Sequence, residues 1–353
     1  MLTHRKNRSR EKVFLLNIST KPTLSTLSTL FLSTATIPYL LSALFSCTPM
    51  TSVMTKVSFE EIEYRNPMGY VDIFTFDNDR LMQLDSYMHY SSISGNSLNI
   101  RSQNGNKKIF ICSNGQRTKA GWSSINSMAA LDKVYVELTQ EDRNAPCMTG
   151  MGEAVAGSGQ ICNIEMRRIA SEVVLNSLRC DFSGKSYEGH QVSDVKVYLT
   201  NVNTRCRITA EGEITPLSIV NAGCLEADDL ETFLQPDLVA QSIPVNIGTN
   251  KLLAGICLLC YPNASSMESP GTPFTRLVIE GTLDGETYWW PIDINRGEDI
   301  EEPGIYRNTR YIFDVVLTRK GSLDPNKPIE TEDADIKMEV RKWEEKEDYQ
   351  VRF

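Results

Sequence analysis

The sequence predicts an all-β fold built from sandwiches. Three observations carry that expectation. Short runs of alternating or continuous apolar residues recur from residue 55 to the end of the chain, as strands with a buried face require. The segments between them are rich in Gly, Pro, Asn and Asp, which punctuate turns. Only residues 123–131 and 227–234 read as short helices, so the strand–helix alternation of a doubly wound fold is missing. Many short strands with few helices bury their apolar faces by packing sheet on sheet.

In chain order, residues 55–64 (TKVSFEEIEY) form the first strand, rich in β-branched and aromatic residues and free of Gly and Pro. Residues 65–69 (RNPMG) make an exposed turn, and residues 70–76 (YVDIFTF) a second strand. Residues 107–112 (KKIFIC) and 134–138 are strands, whereas the glycine-rich residues 146–159 read as a loop. Residues 161–178 hold one or two strands around Arg167-Arg168. In residues 194–202 (DVKVYLTNV), Val195, Val197 and Leu199 share one face, and Lys196 and Thr200 the other. Further strands are expected at residues 251–261, 274–283, 287–294, 310–319, 335–342 and 349–353. The chain exceeds what one core usually supports. Two domains are therefore expected, residues 47–160 and 161–353, divided at the Gly157-Ser158-Gly159 stretch.

Upstream the composition changes. Arg5, Lys6, Arg8, Arg10 and Lys12 form a basic region, and residues 24–45 an apolar one that ends in Leu44-Phe45-Ser46-Cys47. This looks like a lipoprotein signal peptide over residues 1–46: an apolar run, a small residue, then a cysteine. That resemblance implies cleavage between Ser46 and Cys47, and attachment to a lipid bilayer through Cys47. An uncleaved membrane span is the competing reading, because the apolar run is long enough. Its eight Ser/Thr residues and Pro38 argue against a span. An ordinary cleaved signal is a third possibility.

Charge and motifs exclude several functions. Of 36 Lys/Arg and 45 Asp/Glu, residues 1–46 hold six and one, which leaves a net charge of −14 on residues 47–353. Such an acidic surface does not suit nucleic acid. The eight cysteines after Cys47 lack the spacing of a disulfide scaffold. Cys257 and Cys260 form a nominal CxxC, but three residues apart on an apolar strand they face opposite ways, which suits core packing better than zinc. His89 and His190 stand in polar surroundings and read as surface residues. Glu226, Asp228, Asp229 and Glu231 lack calcium-loop spacing and read as a solvated helix face. Tyr288-Trp289-Trp290 lies in an apolar strand, where core packing outweighs a sugar-stacking platform. No G-x-S-x-G, H-E-x-x-H or phosphate-binding loop occurs. No catalytic residue, metal site or cofactor is expected.

The C-terminal stretch is the most distinctive. Arg307-Asn308-Thr309-Arg310-Tyr311 opens an apolar strand, and a polar, Pro-containing stretch follows at residues 321–329. Two strand-like segments come last. Ile336, Met338 and Val340 share a face in the first, and Tyr349, Val351 and Phe353 in the second. Trp343 between them is out of phase, as at a bulge or bend. This pattern resembles the fimbrillins of the Bacteroidales, the type V pilins. Upstream stretches follow in the family's order: residues 105–114 (GNKKIFICSN), Cys147-Met148-Thr149-Gly150, residues 164–173 (IEMRRIASEV), Tyr261-Pro262-Asn263, residues 275–281 (TRLVIEG) and residues 288–292 (YWWPI). The resemblance spans essentially all of residues 47–353. Each motif alone is weak; their order, together with the leader, is specific.

The resemblance implies two tandem transthyretin-like β-sandwiches and an assembly mechanism. An arginine-specific protease cuts after an arginine in the loop behind the first strand, here Arg65. Loss of that strand opens a groove, and the terminal strands of another subunit fill it. Here those strands are residues 336–353, with Ile336, Met338, Val340, Tyr349, Val351 and Phe353 as plugs. A vacated strand exposes backbone N–H and C=O groups that a donor strand satisfies, and head-to-tail exchange builds an open filament. The loop departs from the family pattern: only residues 66–69, including Pro67, separate Arg65 from Tyr70. Arg80 is a poorer cut site, because cutting there removes the second strand too. The implied product is a lipid-anchored outer-membrane subunit of a cell-surface fimbrium, partnered by other fimbrial subunits and able to meet a host or bacterial surface ligand. The alternative is a non-polymerising surface lipoprotein adhesin, or an anchor or tip subunit, that binds glycan or a host protein.

Overall fold

The computed structural model describes residues 52–60, 69–93, 97–212, 214–297, 300–327 and 334–343. The strands fall into two groups. In the first, β1 (Ser52–Glu60), β4 (Ser97–Gln103) and β8 (Ile161–Glu165) form a three-stranded sheet in the order β4-β1-β8. It covers one face of a five-stranded sheet, β3-β2-β5-β7-β9, composed of β2 (Val71–Asp77), β3 (Leu84–Tyr90), β5 (Gly105–Ser113), β7 (Met148–Ala156) and β9 (Arg167–Arg168). Alternation sorts the side chains. Val71, Ile73, Ile109 and Ile111 meet Val57, Ile100, Cys162 and Ile164 between the two sheets. Phe74, Phe76 and Phe110 point the other way and pack with Trp122, Ile125 and Leu131. Phe74 meets the Trp122 ring edge-on at 5.2 Å. β2 is thus buried on both faces, which accounts for its nearly continuous apolar run.

The second group is a sandwich of two four-stranded sheets. One has the order β16-β10-β19-β20, from β10 (Ser171–Cys180), β16 (Leu252–Cys260), β19 (Thr309–Leu317) and β20 (Ala334–Lys342). The other has the order β15-β11-β17-β18, from β11 (Ser193–Thr200), β15 (Ala240–Ile243), β17 (Arg276–Leu283) and β18 (Glu286–Asp293). Val195, Val197 and Leu199 lie in the core, as their alternation predicts, with Val173, Leu175, Tyr311, Phe313 and Trp290. β17 and β18 are joined through Asp284 and Gly285 at φ 56° and 83°, the left-handed pair that a tight hairpin turn demands.

β6 (Tyr135–Glu137) pairs with β13 (Arg205–Arg207) across the two groups, and β12 (Val202–Asn203) with β14 (Ile219–Val220) beside them. One apolar cluster runs through both groups, so the halves share a core.

Several expectations need correction. β1 begins earlier than the expected residue 55, at Ser52. β3, β4 and β15 are strands that no strong alternation announces. Residues 146–159 are not a loop: most of the stretch is β7. Its glycines serve close approach, because a Cβ on Gly150 would lie 2.6 Å from the Glu165 carbonyl oxygen and from Ile164 Cγ2. The expected division at residue 160 falls between β7 and β8. Gly157 and Gly159, at φ 85° and 76°, form the turn from β7 to β8. β8 and β9 pair within the first group, and the second begins at Ser171. The leader, residues 61–68 and residues 344–353 lie outside the described residues.

Candidate strand-exchange site

β1 is the middle strand of its sheet. It runs antiparallel to β4, from Ser52↔Gln103 to Ser58↔Ser97, and parallel to β8, from Lys56↔Ile161 to Glu60↔Glu165. Ser52, Met54 and Lys56 face solvent while Thr55 and Val57 are buried. Beneath them lie Val71, Ile73, Ile109, Ile111 and Met148. Without β1, strands β4 and β8 would each present a row of unpaired backbone groups over an apolar floor. The inner face of β1 fits that floor imperfectly. Thr55 Oγ1 is buried without a partner, as is Ser102 Oγ on β4. A buried unsatisfied hydroxyl costs ~1–3 kcal/mol. Ser46, Cys47 and Arg65 lie outside the described residues.

β20 is an edge strand of the second group. It pairs antiparallel with β19 over its whole length, from Thr309↔Lys342 to Leu317↔Ala334. Ile336 and Met338 share a half-buried face against the core beneath their own sheet. Asn295 N–H donates to Met338 Sδ at 3.4 Å. Val340 is 46% exposed, so burial fades toward the end of the strand. Tyr349, Val351 and Phe353 lie outside the described residues.

Beyond β20, the chain is tied to the first group. Trp343, out of phase with the β20 face, is buried, and its N–H donates to Asn308 O at 2.9 Å. The Arg168 guanidinium of β9 lies 4.3 Å from the Trp343 ring centroid, and its Nη1 donates to Trp343 O at 3.1 Å. Next to it, Lys342 Nζ and Arg167 Nη2 sit 2.8 and 2.9 Å from the Glu165 carboxylate. Hydrogen bonds from Arg167 and then Lys342 pull that carboxyl down to about 2. Arg307 makes a parallel tie. Its Nη2 donates to Thr149 Oγ1 at 2.7 Å and to Arg167 O at 2.9 Å, and its Nη1 pairs with Glu211 at 3.0 Å. Burial lowers the Arg307 pKa. Arg168 and Arg307, each from a motif quoted above, are joints between the two groups.

Glu141 is the residue the sequence concealed, because it sits in a polar stretch, Thr139-Gln140-Glu141-Asp142. It is wholly buried. Tyr261 OH and Gln116 Nε2 donate to its Oε2 at 2.7 and 3.0 Å, and Cys147 N–H donates to Oε1. Burial raises its carboxyl to about 7 against the pull of those bonds. The Tyr261 and Cys147 motifs therefore converge on one buried acid.

His89 is not a plain surface residue. Its side chain is only 23% exposed, and Nδ1 lies 2.8 Å from the buried Asp72 carboxylate. His190 is half exposed beside Asp284. Tyr288 and Trp290 are core residues, and Trp289 Nε1 donates to Glu280 at 3.0 Å. Cys260 is buried and Cys257 is partly exposed. Asp229 of the acidic cluster accepts from Asn221 N–H at 2.6 Å.

No family model matches the sequence, and no curated protein matches it. Solved structures do. A candidate cell adhesion protein from Parabacteroides distasonis superposes with a TM-score of 0.61 at 16% identity, over 84% of this chain and 98% of that one. A fimbrilin, FimA, from Porphyromonas gingivalis gives 0.57 at 11% identity, over 82% and 97%. The tip fimbrial protein Mfa3 of the same organism, truncated at its C-terminus, gives 0.53 at 14% identity, over 83% and 100%. Across nearly their whole length, this chain has the all-β fold of Bacteroidales fimbrillins and adhesion proteins.

Proposed function

We propose that the protein is a non-enzymatic structural subunit of a cell-surface fimbrium, exported as a lipoprotein held by Cys47 and joined to its neighbours by strand exchange. The observation that carries this reading is the central position of β1 between β4 and β8. Only from such a position does removing one strand leave a slot with pairing groups on both sides and an apolar floor below. Arg65, shortly after β1 in sequence, is the proposed cut. Ile336, Met338, Val340, Tyr349, Val351 and Phe353 of another copy are the proposed plugs. Burial of one large apolar side chain contributes ~1.5–3 kcal/mol, so several along one strand would make a long-lived joint. The test is limited digestion of the purified chain with an arginine-specific protease, followed by N-terminal sequencing and a non-boiled gel. A cut after Arg65 with heat-labile ladders is the expected outcome. A resistant Arg65 with a persistent monomer would overturn the cleavage step.

A second reading rests on β20, which is fully paired in its own sheet with Ile336 and Met338 already packed. A strand so occupied suits an anchor or tip subunit, or a monomeric adhesin, that keeps its terminal strand at home. That reading expects a monomer after Arg65 has been cut.

A further inference from the structure

Two adjoining cavities lie on either side of Gln116 and Arg117, one beside β6 and β13 and the other beside the start of β2 and the end of β3. One, of about 590 Å³, is walled by Lys133, Tyr135, Gln140 and Arg205. The other, of about 580 Å³, is walled by Tyr70, His89, Ser91, Thr118 and Lys119. Gln116 and Arg117 line both, so the two adjoin as lobes of a surface groove.

The chemistry of its walls is one-sided. The chain is acidic, with a net charge of −9, yet the groove gathers Arg117, Lys119, Lys133 and Arg205. Its one carboxylate among the described residues, Glu137, is engaged by Arg205 at 3.0 Å. Among the described residues, no carboxylate lies within ion-pair distance of Arg117, Lys119 or Lys133. Like charges gathered without partners repel and add nothing to folding, whereas an anionic ligand would find them uncompensated.

Two of the groups are held in place. The Arg117 guanidinium lies 5.4 Å from the Trp122 ring centroid, where the two cavities meet. His89 is fixed through Nδ1 by Asp72, whose Oδ1 also accepts from Tyr87 OH at 2.6 Å. That leaves the far nitrogen, Nε2, for the cavity. Among the described residues the lining holds no aliphatic residue, and its apolar surface comes from rings and side-chain stems. Grooves that seat peptides rely on apolar anchor pockets. Hydroxyls at Ser91, Thr118 and Tyr70 and the Gln140 amide instead match a polyhydroxylated ligand, and two joined cavities exceed what one inorganic anion fills.

We propose that this groove binds an acidic oligosaccharide, carboxylated or sulfated, with Arg117 at its centre and Lys119 and Lys133 toward its two ends. The proposal deepens the surface-adhesion side of the function above, and it does not depend on strand exchange.

The test uses the purified, uncleaved chain as a monomer, so failure of assembly would leave the result intact. Calorimetric titration with a heparin-derived tetrasaccharide is compared with neutral maltotetraose and with tetraglutamate. Binding of the sulfated sugar alone is expected. Lys119→Glu with Lys133→Glu should weaken it by at least about tenfold with an unchanged melting temperature, because both lysines are exposed. Arg117→Gln serves as an independent second variant with the same expected direction. No binding of the sulfated sugar, or binding that these variants leave unchanged, would overturn the assignment. Equal affinity for tetraglutamate would also overturn it, in favour of an acidic-peptide site.

Discussion

At the scale of single residues, the most consequential group is a carboxylate held by dipoles alone. Glu141 is surrounded by three hydrogen-bond donors and wholly removed from water. Its folded pKa of about 7 lies above the ordinary 4.5, so between those values the folded chain keeps a proton that the unfolded chain has lost. This contribution to stability is complete below about pH 4.5, declines as pH rises, and is gone above about pH 7. At ~1.4 kcal/mol per pKa unit the loss amounts to about 3 kcal/mol. Glu141→Gln should therefore flatten the fall in melting temperature between about pH 5 and 7, measured by scanning calorimetry at a series of pH values. An equally steep fall in the variant would show that Glu141 is not its source. Nothing in the sequence distinguishes this glutamate from its neighbours, because burial is a property of the fold around it.

At the scale of elements, β7 shows how a strand can be written in loop vocabulary. The expectation of a loop rested on its glycines, yet two of them lie where strands cross closely. A Cβ on Gly150 would sit 2.6 Å from Glu165 O and 2.9 Å from Met166 Sδ, and one on Gly152 would sit 2.8 Å from Ile164 Cγ1. Gly150→Ala should cost ~1–3 kcal/mol through overpacking, which exceeds the ~0.4–1 kcal/mol that reduced unfolded-state freedom returns. Gly271→Ala, where a Cβ meets nothing within 4 Å, is the matched control and should be near neutral. Urea melts of the two variants decide the matter, and equal midpoints would refute the close-approach account. Strands with one clean buried face, such as β11, were legible because period-2 alternation is a direct image of burial. β3 was not, since every residue in it is half-buried, and β4 has only Leu98 and Ile100 as apolar signal.

At the scale of the whole molecule, the sequence foreshadowed Trp343 as a break in phase, but its partner lies far away along the chain. Arg168 belongs to the first strand group and stacks on a ring that closes the second. Trp343 therefore does two things at once: it pins the end of β20 and fastens one group to the other. Any use of β20 outside its own sheet must first undo this latch together with the Lys342–Glu165 pair. Trp343→Ala removes the ring while leaving the β19–β20 ladder intact. Truncating a buried tryptophan typically costs ~3–5 kcal/mol, and here that loss should fall on local opening of β20 before global unfolding. Hydrogen exchange read residue by residue should show β20 amides losing protection, with β10 and β16 little changed. If all three strands lose protection equally, Trp343 supports the core as a whole and is no latch. If β20 alone opens, the strand is free to leave while the sandwich stays folded, as a subunit that donates its terminal strand requires.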